Sequence, residues 1–264
     1  MKIQIHITTH KRPEWCYYLL RQIKEQQKHY NIHVVAFHDL CDSDYSKAIE
    51  FCKENGWEFL QTKDNLGKWK YWKLLNYTYE YAEKFDYDYY IALPDDIVLV
   101  DNFFKRAVSM PNKRYPMINF FTMNIHYDMY LISKKVRKVN GVLYFVSGWV
   151  DGCFIATKEY MKGLQIYEPA ATRKRMNLRG TGIAHELIKH YNSKVGNVSL
   201  QSCYALCEHI GNVDTVMHDI QRRRVLYKSV EGQKDRIQSS LLPEDKEFVE
   251  MKIKEYGIKR TEDG

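Results

Sequence analysis

Tyr87-Asp88-Tyr89-Tyr90-Ile91-Ala92-Leu93-Pro94-Asp95-Asp96-Ile97-Val98 is the stretch that decides how this chain folds. From Tyr89 a short run of aromatic and aliphatic residues leads through Pro94 into two adjacent carboxylates. Such a run reads as a β-strand entering a core. Two acids at its end repel each other and lose hydration if buried unpaired. A divalent cation relieves both costs and gives the pair a purpose, the holding of a diphosphate. The alternative is a solvated turn, because Pro-Asp-Asp is also good turn chemistry.

Upstream, strands and helices alternate. Lys2 to Thr9 places Ile3, Ile5 and Ile7 at every second position, a strand, and Pro13 then stands where helices begin. Trp15, Tyr18, Leu19 and Ile23 follow at helical spacing. Ile32 to Phe37 is a second strand, ending in His38-Asp39. Ser43 is the expected cap of a helix that carries Ala48, Phe51 and Cys52 and stops at Gly56. Trp57 to Leu60 is a third strand, Asp64 to Lys68 a loop, and a longer helix runs on from Trp69 through Ala82. This alternation predicts an α/β fold with a mostly parallel central sheet flanked by helices. Ligands of such sheets bind at the carboxyl ends of the strands, where the polar loops just named lie.

After Asp101 the pattern changes. Met117 to Met123, Gly141 to Val146 and Trp149 to Thr157 read as strands, the last followed by a short helix. Gly182 to Tyr191 reads as a helix and Val198 to Cys207 as a strand. The segment from Asp219 is charged and helical in pattern. The expected organisation is one catalytic domain over residues 1–218, with a nucleotide-binding half to 100 and an acceptor half from 101 to 218. Residues 219–264 form a helical extension.

The chain has 264 residues, 45% hydrophobic and 28% charged, an ordinary soluble composition able to bury a full core. Twenty-one Tyr and five Trp offer flat surfaces for stacking. No apolar run reaches membrane-spanning length, and no basic-then-apolar leader opens the sequence, so cytoplasmic residence is expected, in a host cell if the chain is phage-encoded. The six cysteines have no paired CxxC spacing and read as free thiols. Cys203, Cys207 and His209 would share one face of a strand, but a structural zinc there lacks a fourth ligand.

Net charge is +7, which favours an anionic partner or serves solubility. The charge is bunched. Lys134, Lys135, Arg137 and Lys138 cluster, as do Arg173, Lys174, Arg175 and Arg179, and Arg222, Arg223 and Arg224, all in the second half.

In order along the chain, these pieces resemble the GT-A glycosyltransferases, the class with one α/β domain that binds a nucleotide-sugar. Ile7-Thr8-Thr9-His10-Lys11-Arg12-Pro13-Glu14 looks like the opening strand and base-cupping loop of that class. The resemblance makes Thr8, His10 and Arg12 nucleotide contacts. Asp39 stands where the class often places a base-contacting acid, the alternative being a turn residue. Asp64-Asn65-Leu66-Gly67-Lys68 is similar to the N-x-G loop beside the nucleotide, with Asn65 and Lys68 as contacts, unless the loop simply starts a helix. Leu93-Pro94-Asp95-Asp96 looks like the D-x-D metal motif with Pro94 replacing its first acid. That departure leaves Asp96 as metal ligand and Asp95 as a ribose or metal-water contact. Glu208-His209-Ile210-Gly211-Asn212 resembles the late H-x-G segment, whose histidine completes the metal shell. The alternative for His209 is a core histidine.

The implied cofactor is Mn²⁺ or Mg²⁺ and the implied donor a nucleoside-diphosphate sugar, with UDP-sugar the first expectation. A lysine at Lys68 would add a point charge near the diphosphate. Glu186, in Gly180-Thr181-Gly182-Ile183-Ala184-His185-Glu186, fits the place from which the class takes its catalytic base. Asp151, flanked by Gly148 and Gly152, is the second candidate, and an ordinary solvated acid is the alternative for Glu186. The basic clusters point to DNA as acceptor, a hydroxymethyl-pyrimidine flipped from the stack for glycosylation. A surface polysaccharide or lipid-linked saccharide is the rival. Two other classes stay open. A nucleotidyltransferase would carry a glycine-rich loop where His10-Lys11-Arg12-Pro13 stands. A non-catalytic nucleic-acid-binding protein would explain the charge but not the paired acids.

Overall fold

β1 (Lys2–Thr9) runs through the middle of the first half of the molecule, and seven of its eight residues are buried. The alternation of isoleucines suggests one buried face, but a central parallel strand is covered on both. Its second face must therefore satisfy polar side chains. Gln4 Nε2 lies 2.9 Å from His6 Nε2, and the His6 ring packs against Phe37 and Tyr90 at 4.9 and 5.0 Å between centroids.

The computed structural model describes residues 1–99, 102–111, 113, 115–120, 136–139, 142–147, 152–169, 186–187, 189–190, 193–194, 199–202 and 207–209. Of 68, 136–139, 142–147, 199–202 and 208–209 it describes the backbone alone.

α1 (Pro13–Gln26), β2 (Asn31–His38), α2 (Ser46–Glu54), β3 (Glu58–Gln61), α3 (Gly67–Ala82) and β4 (Tyr89–Pro94) follow in the expected alternation. β1 pairs in parallel with β2 and with β4, and β2 pairs in parallel with β3. Ile3, Ile5 and Ile7 pack with Cys16, Leu19 and Ile23 of α1 and Ala48 of α2 on one side of the sheet. Val35 and Phe37 meet Leu74 of α3 on the other. Burial of these aliphatic and aromatic side chains is the main driving force for the layer.

The second half adds β5 (Ile97–Leu99), α4 (Phe103–Val108), β6 (Met117–Asn119), β7 (Val136–Val139), β8 (Val142–Ser147), β9 (Phe154–Thr157), α5 (Lys158–Met161), β10 (Ser199–Ser202) and β11 (Cys207–His209). Among the described residues nine strands form one sheet, in the order β3-β2-β1-β4-β9-β6-β10-β8-β7. The β3-β2-β1-β4 side is parallel throughout. Beyond β4 the sheet is mixed, with β9 antiparallel to both β4 and β6. The fold is the expected α/β class.

Several local expectations are corrected. Tyr45, rather than Ser43, is the N-cap of α2, and Asp44 just before it accepts the Ser46 N–H at 2.9 Å. α3 starts at Gly67, two residues ahead of Trp69, so Lys68 belongs to its first turn. The stretch Val198 to Cys207 is not one strand. Its described residues divide between β10 in the main sheet and β11, which pairs antiparallel with β5 in a separate ribbon. The segment from Asp219 lies outside the described residues, as do Arg173, Lys174, Arg175, Arg179 and Arg222 to Arg224.

Candidate functional site

Because β1 to β4 are parallel, their carboxyl ends share one edge, and the ladder continues past the strands themselves. The Asp95 N–H bonds to Thr8 O at 3.1 Å, the Asp39 N–H to Thr9 O at 3.0 Å, and the Thr62 N–H to His38 O at 3.0 Å. The β1, β2 and β4 exits are thus locked side by side, bringing Thr8, Thr9, His10, Asp39, Asp95 and Asp96 together.

The paired acids are not a solvated turn. Asp95 is 0% exposed and Asp96 4%. Buried carboxylates need donors, and the β1–α1 loop supplies them. Thr9 Oγ1 donates to Asp95 Oδ2 at 2.6 Å and the His10 N–H to the same oxygen at 3.4 Å. One Arg12 guanidinium nitrogen sits 2.7 Å from Asp95 Oδ1, and another contacts Asp96 Oδ2. Lys11, at φ 57°, turns the chain between His10 and Arg12, and a non-glycine residue there costs about 1 kcal/mol. Burial is the main reason that the Asp95 carboxyl is pushed above the usual carboxylate range; Asp96 adds to the rise, while Arg12, Thr9 and His10 pull it down.

A relay of hydroxyls holds that loop. The Thr9 hydroxyl hydrogen is committed to Asp95, so in its 2.8 Å contact with Tyr45 Oη the tyrosine donates. Tyr45 Oη in turn accepts the Arg12 N–H at 3.1 Å. Burial raises the Tyr45 pKa and keeps it a donor. Thr8 Oγ1 lies 2.9 Å from Tyr71 Oη, joining the end of β1 to α3. Gln22 and Gln26 of α1 accept the N–H groups of Leu99 and Phe103, both at 2.9 Å, and pin the segment that follows the acids. Nothing in the local sequence marks Tyr45, Tyr71 or these glutamines as part of the site. For Thr9 the one available signal is a hydroxyl residue at the end of a strand.

Asp39 is also placed at this edge, and its carboxylate serves the chain. Oδ1 accepts the Leu66 N–H at 2.7 Å and Oδ2 the Gly67 N–H at 2.8 Å. A carboxylate on the first N–H groups of α3 satisfies donors that helix geometry leaves open. His10 Nδ1 lies 3.0 Å from the Asp39 carbonyl oxygen, which only accepts, so Nδ1 carries the proton. Asn65 is exposed on the loop before α3. Lys68 is placed by its backbone one residue after Gly67.

The second half contributes through β11. Its register sets His209 opposite Ile97, the residue after Asp96. Cys207 is buried with its sulfur 3.4 Å from that of Cys153, directed into the core. Cys203 lies outside the described residues, as does Asp151. Glu186 sits in a short helical stretch and bonds Lys189 Nζ at 2.7 Å, beside the buried Leu187. No described contact joins Glu186 to the acidic pair. Among the described residues no three His, Cys, Asp or Glu side chains gather closely enough to hold a metal. No described helix is long and apolar enough to cross a membrane.

Asp95 has its oxygens bonded to Thr9, His10 and Arg12, which makes it an organiser of the site. Asp96 lies between β4 and β5, one residue from the β5–β11 ribbon. A carboxylate and a histidine are donor types compatible with Mn²⁺ or Mg²⁺.

No family model matches the sequence, and no curated protein matches it. Solved structures do resemble the fold. A mannosyltransferase from Pyrobaculum calidifontis, solved with GDP-Man and Mn²⁺, superposes with a TM-score of 0.59 at 12% identity over 89% of this chain. S. aureus TarS gives 0.50 at 13% identity over 87%. Glucosyl-3-phosphoglycerate synthase from Mycobacterium tuberculosis, solved with Mn²⁺ and UDP, gives 0.47 at 11% identity over 76%. The chain spans 64% of the mannosyltransferase and 43% of TarS. The shared feature is the architecture, and this chain carries the α/β fold of GT-A-type glycosyltransferases.

Proposed function

We propose that this chain is a divalent-metal-dependent glycosyltransferase that moves a sugar from a nucleoside-diphosphate donor to a hydroxyl. The observation that carries the proposal is the buried Asp95–Asp96 pair at the carboxyl edge of the parallel strands, with the Thr9–Arg12 loop folded onto it. Ligands of open α/β sheets bind at that edge. Asp96 and His209 are the residues that would hold the cation. A bound cation would supply Lewis-acid neutralisation of the leaving diphosphate. Asp95 keeps Thr9, His10 and Arg12 in register. Thr8, Asn65 and Lys68 border the space for the nucleotide, while Asp39 shapes it by fixing the start of α3. Glu186 is the first choice for the base that takes the acceptor proton, and Asp151 the second.

The acceptor we propose is a hydroxymethylated pyrimidine in DNA, supported by the +7 charge and the bunching of Lys and Arg in the second half. UDP-sugar remains the first donor to try. The test is a panel of nucleotide-sugars with Mn²⁺, offered hydroxymethylated DNA or oligosaccharides. A hexose or pentose mass added to the modified nucleoside is the expected result. Transfer to a saccharide with no DNA binding at low salt would move the acceptor to the polysaccharide class. No donor turnover under any condition would remove the glycosyltransferase proposal.

A further inference from the structure

Arg12 places one cation across two carboxylates. Its guanidinium reaches Asp95 Oδ1 at 2.7 Å with one nitrogen and Asp96 Oδ2 with another, and its side chain is only 12% exposed. The two acids have little access to water to screen them, so the guanidinium is the nearest neutralising charge described for them. The Asp96 oxygen it touches is one of the two through which that carboxylate could bind a divalent cation.

The two ends of this arrangement differ in how they are held. Asp95 keeps the Thr9 hydroxyl and the His10 N–H whether or not the guanidinium stays. The Arg12 backbone is anchored by its N–H on Tyr45 Oη, while the guanidinium rides on a long stem that changes rotamer without moving that backbone. Asp95 thus has donors besides the guanidinium, and the guanidinium is the described cation at Asp96.

We propose that Arg12 is a resident cation that competes with the divalent metal for Asp96 and so sets the metal affinity of the site. This rests on the metal-dependent reading above. Removing the competitor should tighten metal binding, whereas removing a merely structural arginine should loosen the site and weaken it. The experiment is Mn²⁺ titration of the full chain by calorimetry or by electron paramagnetic resonance of free Mn²⁺, without nucleotide. Arg12→Gln should bind Mn²⁺ about tenfold more tightly than the wild type, the scale of one charge-assisted hydrogen bond. Arg12→Lys keeps the charge without the fork and should fall between. Arg12→Gln should also melt lower than wild type without metal and regain more of that loss on adding Mn²⁺. Should the glutamine variant fail to fold, Arg12→Lys carries the test alone. Unchanged or weaker Mn²⁺ affinity in the folded variants overturns the competition. Asp96→Asn separates the two levels. If it loses Mn²⁺ binding while the Arg12 variants gain none, only the competition fails. If it binds Mn²⁺ as the wild type does, the metal reading fails with it.

Discussion

Asp39, at the end of β2, closes the start of α3 from outside the helix: its Oδ2 accepts the Gly67 N–H at 2.8 Å, and its Oδ1 takes the neighbouring Leu66 N–H. The acid is 4% exposed, so these bonds are shielded from water. Asp39→Ala should cost about 1–3 kcal/mol in urea unfolding, the range for losing charge-assisted bonds to buried donors. Asp39→Asn, which keeps one acceptor, should cost less. Equal stability of both variants with wild type would show that the cap does not hold α3.

Thr9 and Tyr45 act as one relay onto Asp95. Thr9→Val should destabilise by about 1–3 kcal/mol, since it removes a donor from a buried carboxylate. Tyr45→Phe should cost about 1 kcal/mol through loss of one neutral hydrogen bond. The double variant should fall short of the sum, because either substitution breaks the same chain. Strict additivity in a double-mutant cycle would argue that the two hydroxyls are independent.

His6 gives the fold an acid limit. Burial lowers its pKa to about 3, against an ordinary value near 6.5, with a bond to the Thr78 backbone opposing the shift. The folded state keeps the ring neutral while the unfolded chain takes up a proton. The contribution is therefore whole above pH 6.5 and is lost as pH falls toward 3, by at most about 1.4 kcal/mol per pH unit. Unfolding free energies measured from pH 7 to pH 4 should fall less steeply in His6→Phe than in the wild type. Parallel curves would assign the acid sensitivity elsewhere.

The fold was legible because its first half follows local rules. Isoleucines at every second position, Pro13 at a helix start and glycine at a helix end each act within a few residues. What local rules could not supply was the side of a partner. Asp39 reads as a base-contacting acid or a turn residue until Leu66 and Gly67 come within reach across the sheet edge. Arg12 reads as a loop cation facing the nucleotide until the fold sets it against acids more than eighty residues away. The break between β10 and β11 was invisible because Val198 to Cys207 is apolar enough for one strand, and only pairing with β5 distinguishes its end. The acidic pair was the reverse case. Its position after an apolar strand left a metal-holding pair and a solvated turn both open, and the structure buries both acids.

Glu186 bonds Lys189, three residues on, at 2.7 Å. If it is the base, Glu186→Gln should bind donor normally and lose transfer by about a hundredfold or more, the usual range for this form of catalysis. Lys189→Ala should then leave donor binding intact and alter mainly the pH profile of turnover. A loss in Asp151→Asn with none in Glu186→Gln would reassign the role.

In the proposed function, Asp96 makes this fold edge a metal-dependent donor site. The most direct measurement is nucleotide-sugar hydrolysis or transfer by purified wild type and Asp96→Asn, each with Mn²⁺ and with excess EDTA, alongside their melting temperatures. The wild type should turn over only with Mn²⁺, and Asp96→Asn should be inactive while melting within a few degrees of it. Full turnover by Asp96→Asn, or by the wild type in EDTA, would show that no metal on Asp96 is needed for the reaction.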